Sequence, residues 1–359
     1  GGKQADAPTA TGYTAITSNE KAFAALKNDG SIFAWGLDAN GATGEPTGTG
    51  YQQIAASRSA FAALKSDGSI TVWGNTFGGG LAYKATATSG IIYPPTTTGF
   101  VRIFANGGGF SAQRSNGTVV AWGNITSIGA TGPDATAVFT RIAGAFAGLT
   151  SDSRIIAWGS PITGGGTTAS STVTVAPTTS SGWVDIVSTG KAFAAIDTSG
   201  NIASWGDILF GGTNAPKDSG YKQIYANGSA FVAVRQDGSI SAWGEATAGG
   251  AGAPTDRGYT QIFSTVNSFA ALKADGSIKV WGSTLEGGDT LKAPADSGYI
   301  NIVSTGTAFA ALKNNGSISV WGNALQGGAS GPQGNGWTEI TSTGTAFTAR
   351  KSSDGTLIS

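Results

Sequence analysis

The sequence predicts an all-β protein, a β-propeller of about nine short, three-stranded blades, with an unclosed β-spiral of the same repeats as the alternative. One motif recurs along all 359 residues: aromatic-x-x-Ile, then Ala-Phe-Ala-Ala-Leu-Lys, then Asp-Gly-Ser-Ile-x-x-Trp-Gly. Nine copies align on one phenylalanine each, at Phe23, Phe61, Phe110, Phe146, Phe193, Phe231, Phe269, Phe309 and Phe347. Such a period is typical of propellers and solenoids, whose units bury apolar surface against their neighbours. We therefore expect a single repeat domain over residues 1–359.

The second observation that supports this fold class is a Trp-Gly pair at the end of eight of the nine repeats. Its tryptophans are Trp35, Trp73, Trp122, Trp158, Trp205, Trp243, Trp281 and Trp321. They lie 36 to 40 residues apart, except for steps of 49 residues after Trp73 and 47 after Trp158. Because these aromatic positions follow the structural period, we interpret them as packing residues. Trp183 and Trp337 replace the Tyr of other units and have the same interpretation.

The first repeat shows how three strands are predicted in every repeat. Residues 13–16, 22–27 and 31–35 are the strand candidates, and Asn28-Asp29-Gly30 joins the last two. Asp-Gly between apolar runs predicts a tight primed hairpin turn, which needs positive φ. The middle strand is apolar on both faces, as in a sheet sandwiched between two others. A polar link with Gly-Gly and Pro then leads to the next unit.

Composition excludes several classes of function. Charged residues make up 12% of the chain, 21 basic and 21 acidic, so no net field attracts nucleic acid or an anionic membrane surface. No stretch approaches the roughly 20 apolar residues of a membrane helix. Cys, His and Met are absent, which removes disulfides, thiolate or imidazole metal sites and His- or Cys-dependent nucleophiles. The richness in Gly, Thr, Ser and Ala indicates an extracellular or cell-surface protein.

The repeat resembles that of the RCC1-like propeller superfamily, named after the regulator of chromosome condensation. The resemblance rests on a strand ending in Ala-Leu-Lys, followed by Asp-Gly-Ser-Ile, Trp-Gly, Gly-Gly and Pro, and it covers essentially the full chain. The repeat length is similar to that of the short-blade members, such as the secreted bacterial beta-lactamase inhibitory propeller. Two features depart from the family: Phe, as at Phe61 and Phe309, replaces its usual His, and nine copies stand where seven blades are usual.

Other motifs are interpreted structurally. Each Asp-Gly turn supplies one carboxylate, whereas calcium needs about six to eight oxygens, so turn chemistry is favoured over metal binding. The glycine triplets at 78–80, 107–109 and 164–166 lack the Gly-Lys-Ser/Thr of a phosphate cradle and read as connectors. Two carboxylates remain the one catalytic scheme that the composition allows easily, with Glu286 and Asp289 or Asp207 and Glu245 as pairs. We expect no enzyme and no cofactor.

The two lengthened links are the best functional lead, because insertions in a repeat array often map to a binding face. The candidate binding residues there are Tyr83, Lys84, Ile92, Tyr93, Thr167 and Thr168. The structural alternative is an extra hairpin that covers the edge of a blade.

Function is expected to be non-catalytic, that of a structural or adhesive module at the cell surface or outside the cell. The two ends of the chain match as halves of one repeat junction, so self-assembly into a ring or a filament is part of this expectation. The alternative, which the short-blade relatives imply, is a protein- or glycan-binding inhibitor or lectin that uses loops of one propeller face. The expected partner is therefore a protein or glycan surface, or a second copy of the chain.

Overall fold

The computed structural model describes residues 12–80, 91–105, 108–124, 137–143, 147–159, 165, 170–177, 182–342, 344–351, 353 and 356–358. Phe146, the reference residue of the fourth repeat, lies outside these ranges. The chain divides into two compact units, Gly1–Ala169 with Val175–Gly182, and Ser170–Thr174 with Trp183–Ser359. The single domain over residues 1–359 stays a prediction.

The first unit contains four antiparallel sheets, which we number blades 1 to 4 in chain order. Their strands are β1 (Tyr13–Ser18), β2 (Ala22–Lys27), β3 (Ile32–Gly36), β4 (Tyr51–Ala56), β5 (Ala60–Lys65), β6 (Ile70–Gly74), β7 (Ile91–Ile92), β8 (Phe100–Ala105), β9 (Gly109–Arg114), β10 (Val119–Asn124), β11 (Phe139–Ala143), β12 (Ala147–Thr150) and β13 (Ile155–Ala157). Blades 1, 2 and 4 are three-stranded meanders, and blade 3 has the order β7-β10-β9-β8.

The second unit contains blades 5 to 9. Their strands are β14 (Val173–Thr174), β15 (Trp183–Ser188), β16 (Ala192–Asp197), β17 (Ile202–Asp207), β18 (Tyr221–Ala226), β19 (Ala230–Arg235), β20 (Ile240–Gly244), β21 (Tyr259–Ser264), β22 (Ser268–Lys273), β23 (Ile278–Gly282), β24 (Tyr299–Ser304), β25 (Ala308–Lys313), β26 (Ile318–Gly322), β27 (Glu339–Ser342), β28 (Phe347–Arg350) and β29 (Leu357–Ile358). Blade 5 has the order β14-β17-β16-β15. These small antiparallel sheets confirm the predicted all-β fold class, a β-propeller of short blades or an unclosed β-spiral of the same repeats.

Among the described residues, short 3₁₀ helices follow the third strand of six blades, and we name them the link turns. They are Asp38–Asn40, Thr76–Gly78, Ile208–Phe210, Ala246–Ala248, Thr284–Glu286 and Ala324–Gln326. Each link turn begins just after the Trp-Gly pair, so within a unit the link turns lie at the same end of their sheets.

The hairpin between the second and third strands differs from the predicted primed turn. In blade 7 the amide of Lys273 donates to the carbonyl of Ser277, and the amide of Gly276 donates to that of Lys273, each at 3.0 Å. Gly276 has a φ of +78°, whereas Asp275 is not in the positive region. This is a three-residue loop with one left-handed residue rather than a two-residue primed turn, which needs two. Asp275 supports the loop by accepting from the amide and hydroxyl of Ser277 at 2.9 and 2.7 Å.

Phenylalanine and tryptophan form the contact between blades. In blade 7, Phe269 lies opposite Trp281 and their rings stack with centroids 5.4 Å apart. Trp281 Nε1 donates to the carbonyl of Gly249, the residue that ends the link turn of blade 6, at 2.9 Å. The same bond, at 3.0 to 3.1 Å, joins Trp73 to Gly41, Trp243 to Gly211 and Trp321 to Gly287. Each of these tryptophans therefore fastens its blade to the link of the blade before it.

Apolar layers fill the space between successive blades in each unit. Blade 1 packs on blade 2 and blade 2 on blade 3 in the first unit, while blades 5 to 9 pack in sequence in the second. Alanines of the middle strands, such as Ala270 and Ala271, are fully buried on opposite faces. The predicted sandwiching of each middle strand between neighbouring sheets is confirmed.

A backbone ladder connects the hairpin tips between the first and second strands of blades 5 to 9. Its bonds run from the amide of Gly190 to the carbonyl of Gly228, from Gly228 to Val266, from Val266 to Gly306 and from Gly306 to Gly344, each 2.9 Å long. We name these five residues the tip ladder. It adds a row of hydrogen bonds between blades to the apolar layers.

Candidate binding surface

All six link turns end at a left-handed glycine, and those of blades 2, 5 and 8 also begin with a side-chain cap. Before the link turn of blade 5, the Asp207 carboxylate accepts from the amide of Leu209 at 3.0 Å, and Gly211 ends the turn with a φ of +93°. Asn75 and Asn323 cap their turns in the same way, at 2.9 Å. Such caps satisfy amides that a helix start leaves without partners. In these three blades the caps fix the turn geometry independently of the middle side chain.

The middle side chain of the link turn is apolar and exposed in four blades. The exposed fractions are 60% for Phe77, 70% for Leu209, 77% for Leu285 and 93% for Leu325. Three of these residues belong to blades 5, 7 and 8 of the second unit, with Thr247 at the same register in blade 6. Because large apolar groups are exposed repeatedly at one register, we take this register as a candidate interaction surface. We name Leu209, Thr247, Leu285 and Leu325 the link row.

An open groove runs between the link turns of blades 6 and 7. It is lined by Glu245 and Thr247 from the link of blade 6, by Thr284 and Leu285 from the link of blade 7, and by Asn267. The Thr247 hydroxyl donates to Glu245 Oε1 at 3.0 Å. The groove thus combines hydroxyl, amide and carboxylate groups with one exposed leucine.

Of the residues predicted from the lengthened links, the structure describes Ile92 and Tyr93. Tyr83, Lys84, Thr167 and Thr168 lie outside the described residues. Ile92 lies in β7, opposite Gly123 of β10, and packs half-buried against the apolar layer between blades 2 and 3. Tyr93 follows it and is half-buried.

The second lengthened link contributes an edge strand in the same way. Its residues Val173 and Thr174 form β14, opposite Asp207 and Gly206 of β17. Val173 is buried, and the Thr174 hydroxyl donates to the carbonyl of Gly212 at 2.6 Å. The described parts of both lengthened links therefore cover a blade edge, which is the structural alternative, and their binding role stays a prediction.

Three of the four carboxylates considered for hydrolytic chemistry have other partners, whereas the buried Oε2 of Glu286 has no hydrogen-bond partner among the described residues. Asp207 caps its link turn and Glu245 accepts from Thr247. Asp289 accepts from the amide of Leu291 at 3.0 Å and faces Lys292 at 3.8 Å. The bonds of these carboxylates serve their own links.

A clasp of Tyr, Asp and a basic residue lies at the opposite end of the blades from the link turns. The Tyr259 hydroxyl donates to Asp256 at 2.6 Å, and Lys273 pairs with Asp256 at 2.5 Å while its Nζ lies 4.9 Å from the Tyr259 ring centre. The bonds from Lys273 and Tyr259 hold the pKa of Asp256 below its ordinary value. Burial and the bond to Asp256 raise the pKa of Tyr259. Equivalent clasps are Asp218–Tyr221–Arg235 and Asp296–Tyr299–Lys313.

The link row is the feature that sequence reasoning missed. Its signal is present, because an apolar residue stands two positions after a capping Asp or Asn at Asp207–Leu209 and Asn323–Leu325. That signal is weak, since the same residues read equally well as part of an irregular linker.

Comparison with known proteins gives structural likenesses of low similarity. The chain is similar to the CRINKLY WD40 ectodomain of the Arabidopsis thaliana receptor kinase ACR4, with 14% identity, a TM-score of 0.41, and 84% of this chain and 92% of that chain covered. It is similar to the ectodomain of the Physcomitrella patens receptor kinase CR4, with 16% identity, a TM-score of 0.40, and 83% of this chain and 71% of that chain covered. It is also similar to Prp20p of Saccharomyces cerevisiae, with 16% identity, a TM-score of 0.38, and 79% of this chain and 75% of that chain covered.

No family model and no curated protein matches the chain. Because these TM-scores lie below 0.5, the similarities do not define the fold class, which rests on the blades themselves. In the part of the chain that the structure describes, no helix has the length and apolar character needed to cross a membrane.

Proposed function

We propose that the protein is a non-catalytic structural module of the cell surface or the extracellular space that associates with further copies of itself through the link row. The observation that carries this proposal is the repeated exposure of Leu209, Leu285 and Leu325 at one register of blades 5, 7 and 8. Covering such side chains contributes roughly 25 cal/mol for each Å² of apolar surface removed from water. The balanced charge of the chain leaves little repulsion between copies.

Sedimentation velocity over a range of protein concentrations tests this function. The wild-type chain is expected to form larger species as its concentration rises, and the double variant Leu285→Ser/Leu325→Ser is expected to lose that behaviour. Val184→Ser/Ile300→Ser is the matched control, because it removes two exposed apolar side chains that lie on first strands. A wild-type protein that sediments as one species at every concentration contradicts the proposal, as does association that survives in the Leu285/Leu325 variant.

An adhesive role is the expected use of this self-association. Electron microscopy of the purified protein distinguishes filaments from separate particles. Location is tested separately, by fractionating cells that produce the protein and detecting it in the medium, on the surface or inside.

The alternative function is a glycan-binding or inhibitory module similar to the short-blade propellers. The groove between blades 6 and 7 favours the glycan form, because Glu245, Thr247 and Thr284 present the hydroxyl and carboxylate groups that bind sugars. A glycan array probed with wild type and with Glu245→Ala is the test. Binding that is lost in Glu245→Ala supports this alternative, and an array without signal contradicts it.

A further inference from the structure

The third strand of blade 5 ends beside a segment that the chain itself supplies. Val173 and Thr174 of β14 lie opposite Asp207 and Gly206 of β17, on the side of β17 that faces away from the second strand. In this antiparallel register the Thr174 amide donates to the Gly206 carbonyl. Val173 is buried in this position. A strand of two residues therefore covers the free edge of the blade.

Two further hydrogen bonds hold this covering segment. The amide of Ile208, the first residue of the link turn, donates to the carbonyl of Thr172 at 3.0 Å. The Thr174 hydroxyl donates to the carbonyl of Gly212 at 2.6 Å. Blade 5 thus binds its segment through the carbonyls of Gly206 and Gly212 and the amide of Ile208.

Blade 3 is covered in the same way with different side chains. Ile91 and Ile92 of β7 lie opposite Asn124 and Gly123 of β10. Both β7 and β14 belong to the lengthened link that precedes their blade. In each, a β-branched aliphatic residue is followed by a second β-branched residue, a type that favours extended backbone. The free edge is therefore paired twice by segments of one chemical type.

Blade 7 presents the equivalent edge beside an open groove. Gly282, Ser283 and Thr284 are the residues of blade 7 at these positions, and they line the groove between the link turns of blades 6 and 7, which has a volume of about 500 Å³. The link before this blade, residues 245–258, is described throughout and contains its link turn but no strand. Among the described strands, only β22 pairs with β23. Within the described chain this edge is therefore uncovered.

The groups that bind the covering segment in blade 5 are repeated in blade 7. They are the carbonyls of Gly282 and Gly288 and the amide of Thr284, for which the described residues offer no hydrogen-bond partner. The local geometry is also repeated, because a Cβ on Gly288 would lie 2.7 Å from the Gly282 oxygen and a Cβ on Gly212 would lie 2.2 Å from the Gly206 oxygen. Blade 7 thus keeps the backbone arrangement that holds β14 in blade 5.

We propose that the groove between blades 6 and 7 binds an extended segment of a partner protein in which Thr follows a β-branched aliphatic residue, as in Val-Thr. The segment adds antiparallel to β23. Its Thr amide donates to the Gly282 carbonyl, its Thr hydroxyl donates to the Gly288 carbonyl, and the carbonyl of its preceding residues accepts from the Thr284 amide. In such strand addition the main chain supplies affinity and alternate side chains supply specificity.

The charge of the groove restricts the partner further. Glu245 lines the groove and is exposed, so a neutral or basic segment is favoured over an acidic one. This inference goes beyond the proposed self-association and does not depend on the link row.

NMR titration of the isotope-labelled full chain with blocked peptides tests the proposal. The first peptide is Ser-Thr-Val-Thr-Val, the sequence of residues 171–175, and the matched peptide carries an N-methyl group on its second Thr, which removes the donor to Gly282. Saturable shifts of the Thr284 amide are expected with the first peptide, and about tenfold or more weaker binding is expected with the second. Equal affinities overturn the proposal. Absence of saturable binding also overturns it and leaves the groove to the glycan of the alternative function.

A proline variant connects the binding to the Thr284 amide. Thr284→Pro removes that donor at the first position of a helical turn, where proline is tolerated, and Ser283 before it already has an extended ψ of 116°. Binding, followed on the Leu285 amide, is expected to weaken about tenfold or more in Thr284→Pro and to stay within about twofold of wild type in Thr284→Ala, which keeps the amide. Undiminished binding to Thr284→Pro overturns the proposal.

The same change in another blade is the matched control. Ala324→Pro alters the first residue of the link turn of blade 8, after Asn323 with a ψ of 120°, and is expected to leave peptide binding unchanged. Binding lost in Ala324→Pro but kept in Thr284→Pro places the site in blade 8 and overturns the proposal.

Sedimentation velocity separates this site from the proposed function. Thr284→Pro is expected to sediment as wild type does, because the link row is unchanged. Loss of self-association in this variant would make a second copy of the chain the occupant and would overturn the proposal of a separate partner. If the link-row variants instead leave sedimentation unchanged, the proposed function fails while peptide binding at Thr284 still supports this inference.

Discussion

At the scale of single residues, tryptophan has two roles that the sequence does not separate. Every described tryptophan of the repeat stacks or packs against a phenylalanine, yet the indole N–H finds a carbonyl in some blades and none in others. Trp281 donates to Gly249, whereas the buried Nε1 of Trp205 has no hydrogen-bond partner among the residues that the structure describes. The link before Trp205 is one of the two lengthened ones, whereas the bonded Trp73, Trp243, Trp281 and Trp321 each follow a described link turn.

This difference predicts that replacing tryptophan by phenylalanine lowers the free energy of unfolding by unequal amounts at the two positions. Trp281→Phe removes the ring N–H and leaves the Gly249 carbonyl unpaired, whereas Trp205→Phe removes a donor for which the described residues offer no acceptor. Both changes lose similar packing. Trp281→Phe is therefore expected to lower the free energy of unfolding by about 1–2 kcal/mol more than Trp205→Phe. Urea denaturation measures both, and equal costs would contradict the role assigned to the indole bond.

The clasp tyrosines predict loss of stability at alkaline pH. Burial raises the pKa of Tyr299 from 10.0 to about 12, its bond with Ser319 lowers it, and Asp296 raises it. The unfolded chain ionises this phenol near pH 10 while the folded chain keeps it neutral, so its stabilising contribution is complete below pH 10 and is lost between pH 10 and about 12. Denaturation midpoints should fall over that range less steeply in Tyr299→Phe than in wild type. Identical slopes would rule out this titration.

At the scale of elements, the hairpin between the second and third strands and the link turn have different contacts. The hairpin of the second and third strands contacts the start of the next blade: Tyr259 donates its amide to the Gly238 carbonyl at 3.2 Å, and Gly258 donates to Asp237 at 3.1 Å. The link turn instead exposes its middle side chain. Both ends of a blade therefore contact a neighbouring blade, because the Trp–Gly bond and the tip ladder lie at the link end, and surface variation is concentrated in the middle side chain of the link turn.

Two glycines of this junction allow the steric effect of an added Cβ to be compared with the effect of backbone strain alone. Gly238 and Gly258 have φ values of +74° and +91°. A Cβ on Gly238 would lie 2.4 Å from the amide nitrogen of Tyr259, whereas a Cβ on Gly258 meets nothing within 4 Å. Gly258→Ala should cost about 1 kcal/mol for its left-handed backbone, and Gly238→Ala about 2 kcal/mol more because the blades must move apart. Thermal or urea unfolding of both variants checks this order, and the reverse order would contradict it.

Much of each blade follows from local sequence, and the rest depends on neighbouring blades. Phe269 and Trp281 repeat with the structural period, so their burial and the three strands around them were predictable. Asp275-Gly276 identifies a hairpin but not its loop length, because two-residue and three-residue loops both favour Asp and Gly. Leu285 was missed as a surface residue, since an apolar residue in a link carries no information on the direction it faces.

At the scale of the whole molecule, the second unit is held together by two kinds of inter-blade contact. Apolar layers with their Trp–Gly bonds lie between the sheets, and the tip ladder connects the hairpin tips of blades 5 to 9 through backbone alone. The ladder could not be predicted from sequence, because it uses no side chain and brings together residues about 40 positions apart. Nearest-neighbour contacts of this kind make the stability of a repeat array a sum over adjacent units.

The tip ladder predicts an unusual pattern of amide hydrogen exchange. Exposed hairpin tips normally exchange fast, because their amides bond to water. The amides of Gly190 and Val266 lie at exposed tips but donate to the next blade at 2.9 Å, whereas for Gly344, at the end of the ladder, no acceptor lies within the described residues. Gly190 and Val266 should therefore exchange at least about tenfold more slowly than Gly344, since release requires separation of two blades. Exchange measured by NMR tests this with Gly344 as the internal control. Fast exchange at all three tips would mean that the ladder does not hold the blades together, and the apolar layers alone would then account for their order.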